Sequence, residues 1–309
     1  MAVVIPDTLD FNAYLRQTEC SAKVKAASSF EDELLAEFLE SKRESEPEMF
    51  STKLRGLLRF RAGEVTAWAG YNGHRKSMFV GQTALDLCVQ RQRVLIMSME
   101  MSPARTLARM ARQAAAVAKP SSPFLSSFST WTDSRLWIFD HQGRISPDQC
   151  IAVCRYFGQE LQGQHVVIDS MMMVCASEEH LDEQKQFTTD IVRVAQETGL
   201  HIHLVAHCRK PQRGEDEPPS KYDLRGSAAI SDQCPNVVTV WANKAKKAKL
   251  ESNPNDIEAQ QQPDALVTVE KQRNGEWEGR VKLWFDSNSF RFCDERVKAV
   301  EPYVLRGLE

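Results

Sequence analysis

Glu64-Val65-Thr66-Ala67-Trp68-Ala69-Gly70-Tyr71-Asn72-Gly73-His74-Arg75-Lys76-Ser77, running on into Met78-Phe79-Val80-Gly81-Gln82-Thr83-Ala84-Leu85, decides the fold. The apolar run reads as a buried strand, the glycine-bearing segment as a turn, and the rest as a helix. Set against G-x-x-x-x-G-K-[ST], the turn keeps Gly70, Lys76 and Ser77, and carries Arg75 where the second glycine belongs. The chemistry of a phosphate cradle asks for these residue types. Backbone N–H groups at a helix start surround the phosphates, a lysine reaches their outer oxygens, and a hydroxyl ligates magnesium. Gly70, Tyr71, Asn72, Gly73, His74, Arg75, Lys76 and Ser77 are therefore the expected nucleotide-binding residues, and Ser77 an expected metal ligand. Arg75 opens two alternatives: a working loop with its guanidinium toward solvent or phosphate, or a site that has lost tight binding or turnover.

Outward from the loop, strand-like and helix-like segments alternate. Further strands are expected at Arg93–Met99, Leu136–Phe139, His165–Asp169 and His201–Ala206. Helices are expected from Ser77 to about Gln90, Ser102 to about Ala118, Pro147 to Leu161 and Glu183 to Thr198. Such a rhythm builds an α/β fold around a mostly parallel sheet. Later strands at Val237–Trp241, Ala265–Lys271, Val281–Phe285 and Phe290–Phe292 are joined by short turns in their last part, which makes those antiparallel. Ala245–Pro263, polar and lysine-rich, reads as a surface loop.

Before this core, Phe30, Leu34, Leu35, Phe38 and Leu39 recur at helical spacing with acids between them. The segment Phe30–Lys42 is thus a short amphipathic helix, folding back on its own core or docking on a neighbouring subunit. The expected division is an N-terminal arm and linker helix over 1–45, the main domain over 46–295 and a tail over 296–309.

The 309 residues carry a net charge of −3, so no global basic surface marks a nucleic-acid binder and any such contact must be local. Eight cysteines contain no C-x-x-C pair, and Cys150 and Cys154 lie one helical turn apart, as on a helix face. Buried reduced thiols, no apolar run near the length of a membrane span and no signal peptide lead to the expectation of a soluble, cytoplasmic protein without membrane contact.

Ligands of parallel α/β sheets sit outside the carboxyl ends of the strands. Ser77, Glu100, Asp169 and His207 fall at four such ends. There Asp169 is expected to hold magnesium through water, Glu100 to take the proton of an attacking water, and His207 to sense the γ-phosphate. His201 and His203 share one strand face and read as structural. Arg209, Lys210, Arg213 and Lys221 flank an acidic, proline-rich loop and suit backbone phosphates of a polynucleotide. Lys244, Lys246, Lys247 and Lys249 form a second basic run.

In this order, the motifs resemble the ATPase domain of DnaB-type hexameric replicative helicases and phage primase-helicases, a RecA-like fold, over roughly Phe50 to Phe292. Met97-Ser98-Met99-Glu100 resembles the family's strand ending in the catalytic glutamate, Val166-Val167-Ile168-Asp169 its magnesium-binding strand, and Leu204-Val205-Ala206-His207 its phosphate sensor. Asp223-Leu224-Arg225-Gly226-Ser227-Ala228-Ala229-Ile230 is similar to the stretch lining the central channel, with Ala228 replacing a usual glycine; Arg225, Gly226 and Ala228 are its implied DNA contacts. Lys271-Gln272-Arg273-Asn274-Gly275 resembles the K-x-R-N-G signature, whose lysine and arginine reach a neighbour's γ-phosphate. The resemblance implies ATP and Mg2+ as cofactors, single-stranded DNA as ligand, a homo-oligomer that is a hexamer in the family's pattern, and a primase or helicase loader as candidate partners. Nothing in residues 1–45 resembles a primase, a zinc module or the helical N-terminal domain of bacterial replicative helicases; the Phe30–Lys42 helix resembles, in position, a linker helix. Three functions stay open: a ring-forming, ATP-driven DNA helicase; an impaired or regulatory RecA-like ATPase that binds single-stranded DNA or a partner helicase; and a RecA-like recombination ATPase that does not unwind. Strict alternation along the strand ending at Arg273 would put Val267, Val269, Lys271 and Arg273 on one face.

Overall fold

A computed structural model describes residues 25–38, 46–175, 181–209, 216–224, 229–296 and 300–303. The chain divides into two units, Met1–Glu46 and Pro47–Glu309. In the first, a 3-10 turn at Ala27–Phe30 leads into α1 (Glu31–Phe38), and Phe30, Leu34, Leu35 and Phe38 are exposed.

The second unit is built on a nine-stranded sheet. Its strands in chain order are β1 (Val65–Ala69), β2 (Val94–Ser98), β3 (Leu136–Ile138), β4 (His165–Asp169), β5 (His201–Val205), β6 (Asn236–Ala242), β7 (Ala265–Gln272), β8 (Gly279–Asp286) and β9 (Arg291–Cys293). They lie in the order β3-β2-β4-β5-β1-β6-β7-β8-β9. From β3 to β6 every pairing is parallel, and from β6 to β9 every pairing is antiparallel. Strand β1, which feeds the glycine-bearing loop, is therefore interior, flanked by β5 and β6.

Alternation divides the side chains between two apolar layers. Val65, Ala67 and Ala69 enter one with Leu95, Met97, Val166, Ile168, Ile202 and Leu204. Trp68 enters the other with Val94, Ile96, Val167, Val205 and Phe60. The first layer is covered by α5 (Pro147–Gln159), α6 (Leu181–Thr198) and α7 (Ala229–Gln233). The second is covered by α2 (Lys76–Val89), α3 (Pro103–Ala115) and α4 (Ser122–Thr132). Burial this complete on both faces explains why the central strands read as continuous apolar runs.

Two expectations about chain segments change. Lys119–Pro123 ends one helix but also starts the next: Ser121 accepts from the Phe124 N–H, and a proline occupies the first turn of α4. Ala245–Pro263 is mostly helical, with α8 (Lys244–Ser252) capped by Asn243 and α9 (Ile257–Gln261) capped by Asp256. Lys246 is buried there, 2.6 Å from Asp264 and donating to the Gln262 carbonyl at 2.7 Å, so it cannot serve a polynucleotide surface. Lys247 pairs with Glu251. None of the helices among the described residues is long and apolar enough to cross a membrane.

Candidate nucleotide site

The loop after β1 is forced by close backbone packing. A Cβ on Gly70 would stand 2.4 Å from the Val240 carbonyl oxygen, so β6 leaves room for glycine alone. Gly73 takes φ +74°, which its missing Cβ makes inexpensive. His74 is fully buried, and its Nδ1 accepts from the Ala242 N–H at 3.1 Å, fastening the loop to the end of β6. Arg75 begins the helix at φ 64°, ψ 21°, the left-handed shape that glycine would otherwise supply. Arg75 is half-buried, and its guanidinium lies over the Phe285 ring on β8, 3.9 Å from the centroid. The αL cost, ~1–2 kcal/mol, is of the same order as a cation–π contact on a partly desolvated ring, ~0.5–2 kcal/mol. Strain and stacking nearly cancel.

Lys76 is 5% exposed, and its ammonium donates to the Gly70 and Tyr71 carbonyls at 2.8 and 2.9 Å. His207 Nδ1 stands 3.3 Å away and can only accept from it. Burial pulls the Lys76 pKa down to about 8, opposed by Cys208, Asp169 and Glu100 and assisted by Lys244. The same burial lowers His207, with the Lys76 charge adding to it.

Asp169 ends β4, and the pairing of β2 with β4 sets it level with Ser98. Burial raises its pKa, and Glu100 adds to the rise, while a hydrogen bond from Ser77 and the charges of Lys76 and Arg109 lower it. Glu100, exposed, accepts from Ser170 Oγ at 3.1 Å. Lys76, Ser77, Glu100, Asp169 and His207 thus converge on one end of the sheet. The fit to a metal-bound triphosphate follows from the donors. A hydroxyl and a carboxylate, both hard oxygen ligands, touch beside a cradle lined by a lysine, and a second acid repels the first. That set suits Mg2+ held by few protein ligands and by phosphate.

Other expected site residues fall elsewhere. Lys271 Nζ donates to the Ser231 and Asp232 carbonyls, both at 2.8 Å, and an Arg273 N–H donates to the Asp232 carbonyl at 3.2 Å, at the C-terminal end of α7. Strict alternation fails here. A register shift pairs Val238 with Val269 but Val237 with Lys271, so Glu270 is the extra residue of a bulge. Lys271 and Arg273 face the α7 side, away from Val267 and Val269, and Gln272 turns inward in their place. Lys221 Nζ donates to the Glu270 carbonyl at 3.3 Å. Lys210, Arg213, Arg225, Gly226 and Ala228 lie outside the described residues. His201 and His203 are fully buried on the Phe60 side of the sheet.

Three residues near the site escape the sequence reading. Arg109 on α3 is close enough to stabilise the Asp169 carboxylate. Its one signal is a cation beside the buried positions Thr106, Met110 and Gln113 of an amphipathic helix. Lys244, from the second basic run, points to the loop and donates to the Asn72 carbonyl at 3.4 Å. Phe285 becomes visible only when β8 is placed beside the loop.

A family model described as the DnaB-like helicase C terminal domain matches residues 50–294. A solved structure described as an ATPase domain is similar over 86% of this chain and 98% of its own, at 18% identity and a TM-score of 0.68. Another, of a DnaB-like replicative helicase and its interactions with primase, is similar over 91% of this chain and 71% of its own, at 17% identity and a TM-score of 0.69. The matched residues 50–294 include the parallel strands that bring a lysine, a hydroxyl and two acids to one end of the sheet, and the antiparallel extension whose first strand, β7, carries Lys271 and leads into Arg273. The chain belongs to the DnaB-like helicase family, with its RecA-like C-terminal domain over residues 50–294.

Proposed function

We propose that the protein is an ATP-driven DNA helicase that works as a ring, a hexamer in the family's pattern, on single-stranded DNA. In this reading Lys76 binds the outer phosphates, Ser77 and Asp169 hold magnesium, Glu100 takes the proton of the attacking water, and His207 senses the γ-phosphate. Bound magnesium supplies charge neutralisation of the phosphates. Lys271 and Arg273 serve the pocket of a neighbouring subunit, where a cation brought in trans is worth ~10³–10⁵ in rate.

One observation supports the last role above the rest. Gln272 pairs with Asn236, and Asn236 with Thr66 of β1, whereas the loop begins at Gly70. The four-residue difference is about 13 Å along the strand, with β7 two strands across from β1, at roughly 3.3 Å per residue and 4.8 Å per strand. Arg273 therefore sits at the wrong end of the sheet for its own loop. The exposed apolar residues of α1 suit docking on an adjacent subunit. A primase partner is proposed only from the description of the second structure.

The test is ATP hydrolysis by the full chain with and without single-stranded DNA. Lys76→Ala and Arg273→Ala are each expected to lower kcat at least ~10³-fold. Mixing the two variants is expected to restore turnover, since each supplies what the other lacks. Unchanged kcat in Arg273→Ala removes the trans role, and absence of strand displacement on a forked duplex leaves a non-unwinding ATPase.

A further inference from the structure

Glu64, the residue before β1, is 5% exposed and takes no part in the chemistry above. Its two carboxylate oxygens accept from two amides of the sheet's other half. Oε2 receives Asn236 Nδ2 at 2.8 Å, and Oε1 receives Asn274 Nδ2 at 2.6 Å. Asn236 opens β6, and Asn274 directly follows Arg273. One carboxylate thus joins the start of β1, the start of β6 and the chain just beyond the end of β7.

We propose that Glu64 is a positioning residue for Arg273, holding Asn274 so that the adjacent guanidinium stands at a fixed height for a neighbour's phosphates. The inference rests on the trans role given to Arg273 above. A carboxylate is expensive to bury, and an amide or apolar side chain would fill the same space at less cost. What the charge adds is strength: hydrogen bonds to an ionised acceptor are roughly twice as strong as neutral ones. The hairpin needs that strength, because among the described residues the exposed Arg273 side chain is held by one hydrogen bond, to the Asp232 carbonyl at 3.2 Å. Its main-chain N–H donates to the Pro235 carbonyl at 2.9 Å, so Pro235 and Asn274 are the fixed points on either side of the moving part. When the guanidinium leaves Asp232 for a partner, Asn274 stays.

Measurement is by steady-state ATP hydrolysis of the full chain with single-stranded DNA, alongside thermal unfolding. In Glu64→Gln the ionised acceptor is replaced by an amide, whose hydrogen bond to Asn274 is roughly half as strong, and kcat is expected to fall by up to the ~10²-fold that a misplacement near 1 Å brings, with KM for ATP unchanged. The swap Glu64→Gln with Asn274→Asp exchanges donor for acceptor and is expected to bring kcat back to within about threefold of the parent, which a general loss of stability would not do. Glu64→Gln chains mixed with Lys76→Ala chains are expected to regain turnover, because each Lys76→Ala chain brings an undisturbed Arg273 to an intact pocket. If Glu64→Gln does not fold, Asn274→Ala at the exposed tip takes its place, with the same loss of kcat expected. Unchanged kcat in Glu64→Gln or Asn274→Ala, while Arg273→Ala is inactive, overturns the positioning role alone. A folded swap variant that stays slow overturns it too. Full activity of Arg273→Ala overturns the trans reading beneath it.

Discussion

Arg75 shows how a forbidden-looking residue can occupy a glycine position. Its backbone takes the left-handed shape, and the side chain recovers the cost on Phe285. Removing either partner should therefore matter less than removing the match between them. Arg75→Gly is expected to change stability by no more than about 1 kcal/mol, because relief of strain offsets the lost stack. Phe285→Ala in the parent chain should cost more than Phe285→Ala in the Arg75→Gly background, by about 1 kcal/mol of coupling in a double-mutant cycle read by urea unfolding. Additive changes would show that the two groups do not interact. The same geometry argues against a gain of turnover in Arg75→Gly, since the loop already has the shape that glycine would give. At this scale Lys76 and Ser77 were readable from the quoted motif, and Asp169 from its place at the end of the run His165–Asp169, as strand ends are fixed by burial. Arg109, Lys244 and Phe285 were not, because their approach to the loop depends on which strands become neighbours.

The β7 strand shows what alternation alone misses. Val267 and Val269 point to one apolar layer, the bulge at Glu270 adds a residue, and Lys271 emerges on the opposite face. The bulge has a partner in Gln272, whose amide donates to the Leu57 and Trp277 carbonyls, both at 2.9 Å. That amide lies where a side chain on Gly275 would go: a Cβ there would come within 2.1 Å of it. Gly275→Ala is thus expected to expel the Gln272 amide and cost about 1–3 kcal/mol, since the Leu57 and Trp277 carbonyls then have no donor, together with a fall in DNA-stimulated turnover. Unfolding that is unchanged in Gly275→Ala would mean that the amide has another place to lie. Periodicity predicts regular strands and helices well, as with His165–Asp169, whose bounds agree at both ends. It gives no warning of a bulge, nor of α8, whose lysines resemble a solvated loop until Asn243 caps the helix and Asp264 neutralises Lys246.

Across the whole domain, the sheet brings together residues that are far apart in sequence. His165, His201 and His203 crowd around Phe60 in the dry layer, with ring centroids 4.8 to 5.7 Å apart. Trp68 Nε1 donates to His203 Nδ1, which leaves the His203 Nε2 proton for His165 Nδ1. Burial lowers all three pKa values, His201 to about 4. Between the ordinary histidine pKa and that value the unfolded chain takes up protons that the folded one refuses, so stability is present above about pH 6.5 and declines toward pH 4. Urea unfolding should weaken by up to about tenfold in the folding constant per pH unit for each such ring, and His165→Phe should flatten the slope. Equal stability at pH 7 and pH 5 would contradict a neutral cluster. The βαβ rhythm pointed to the parallel half of this sheet, and short turns to the antiparallel half. The order of strands, and with it the meeting of three histidines, was beyond local pattern. One last property follows from where Lys271 and Arg273 rest. A lone molecule keeps both cations occupied by the carbonyls closing α7. On the trans role proposed above, a solitary molecule would idle with its fuel unspent, waiting for a companion to strike the spark.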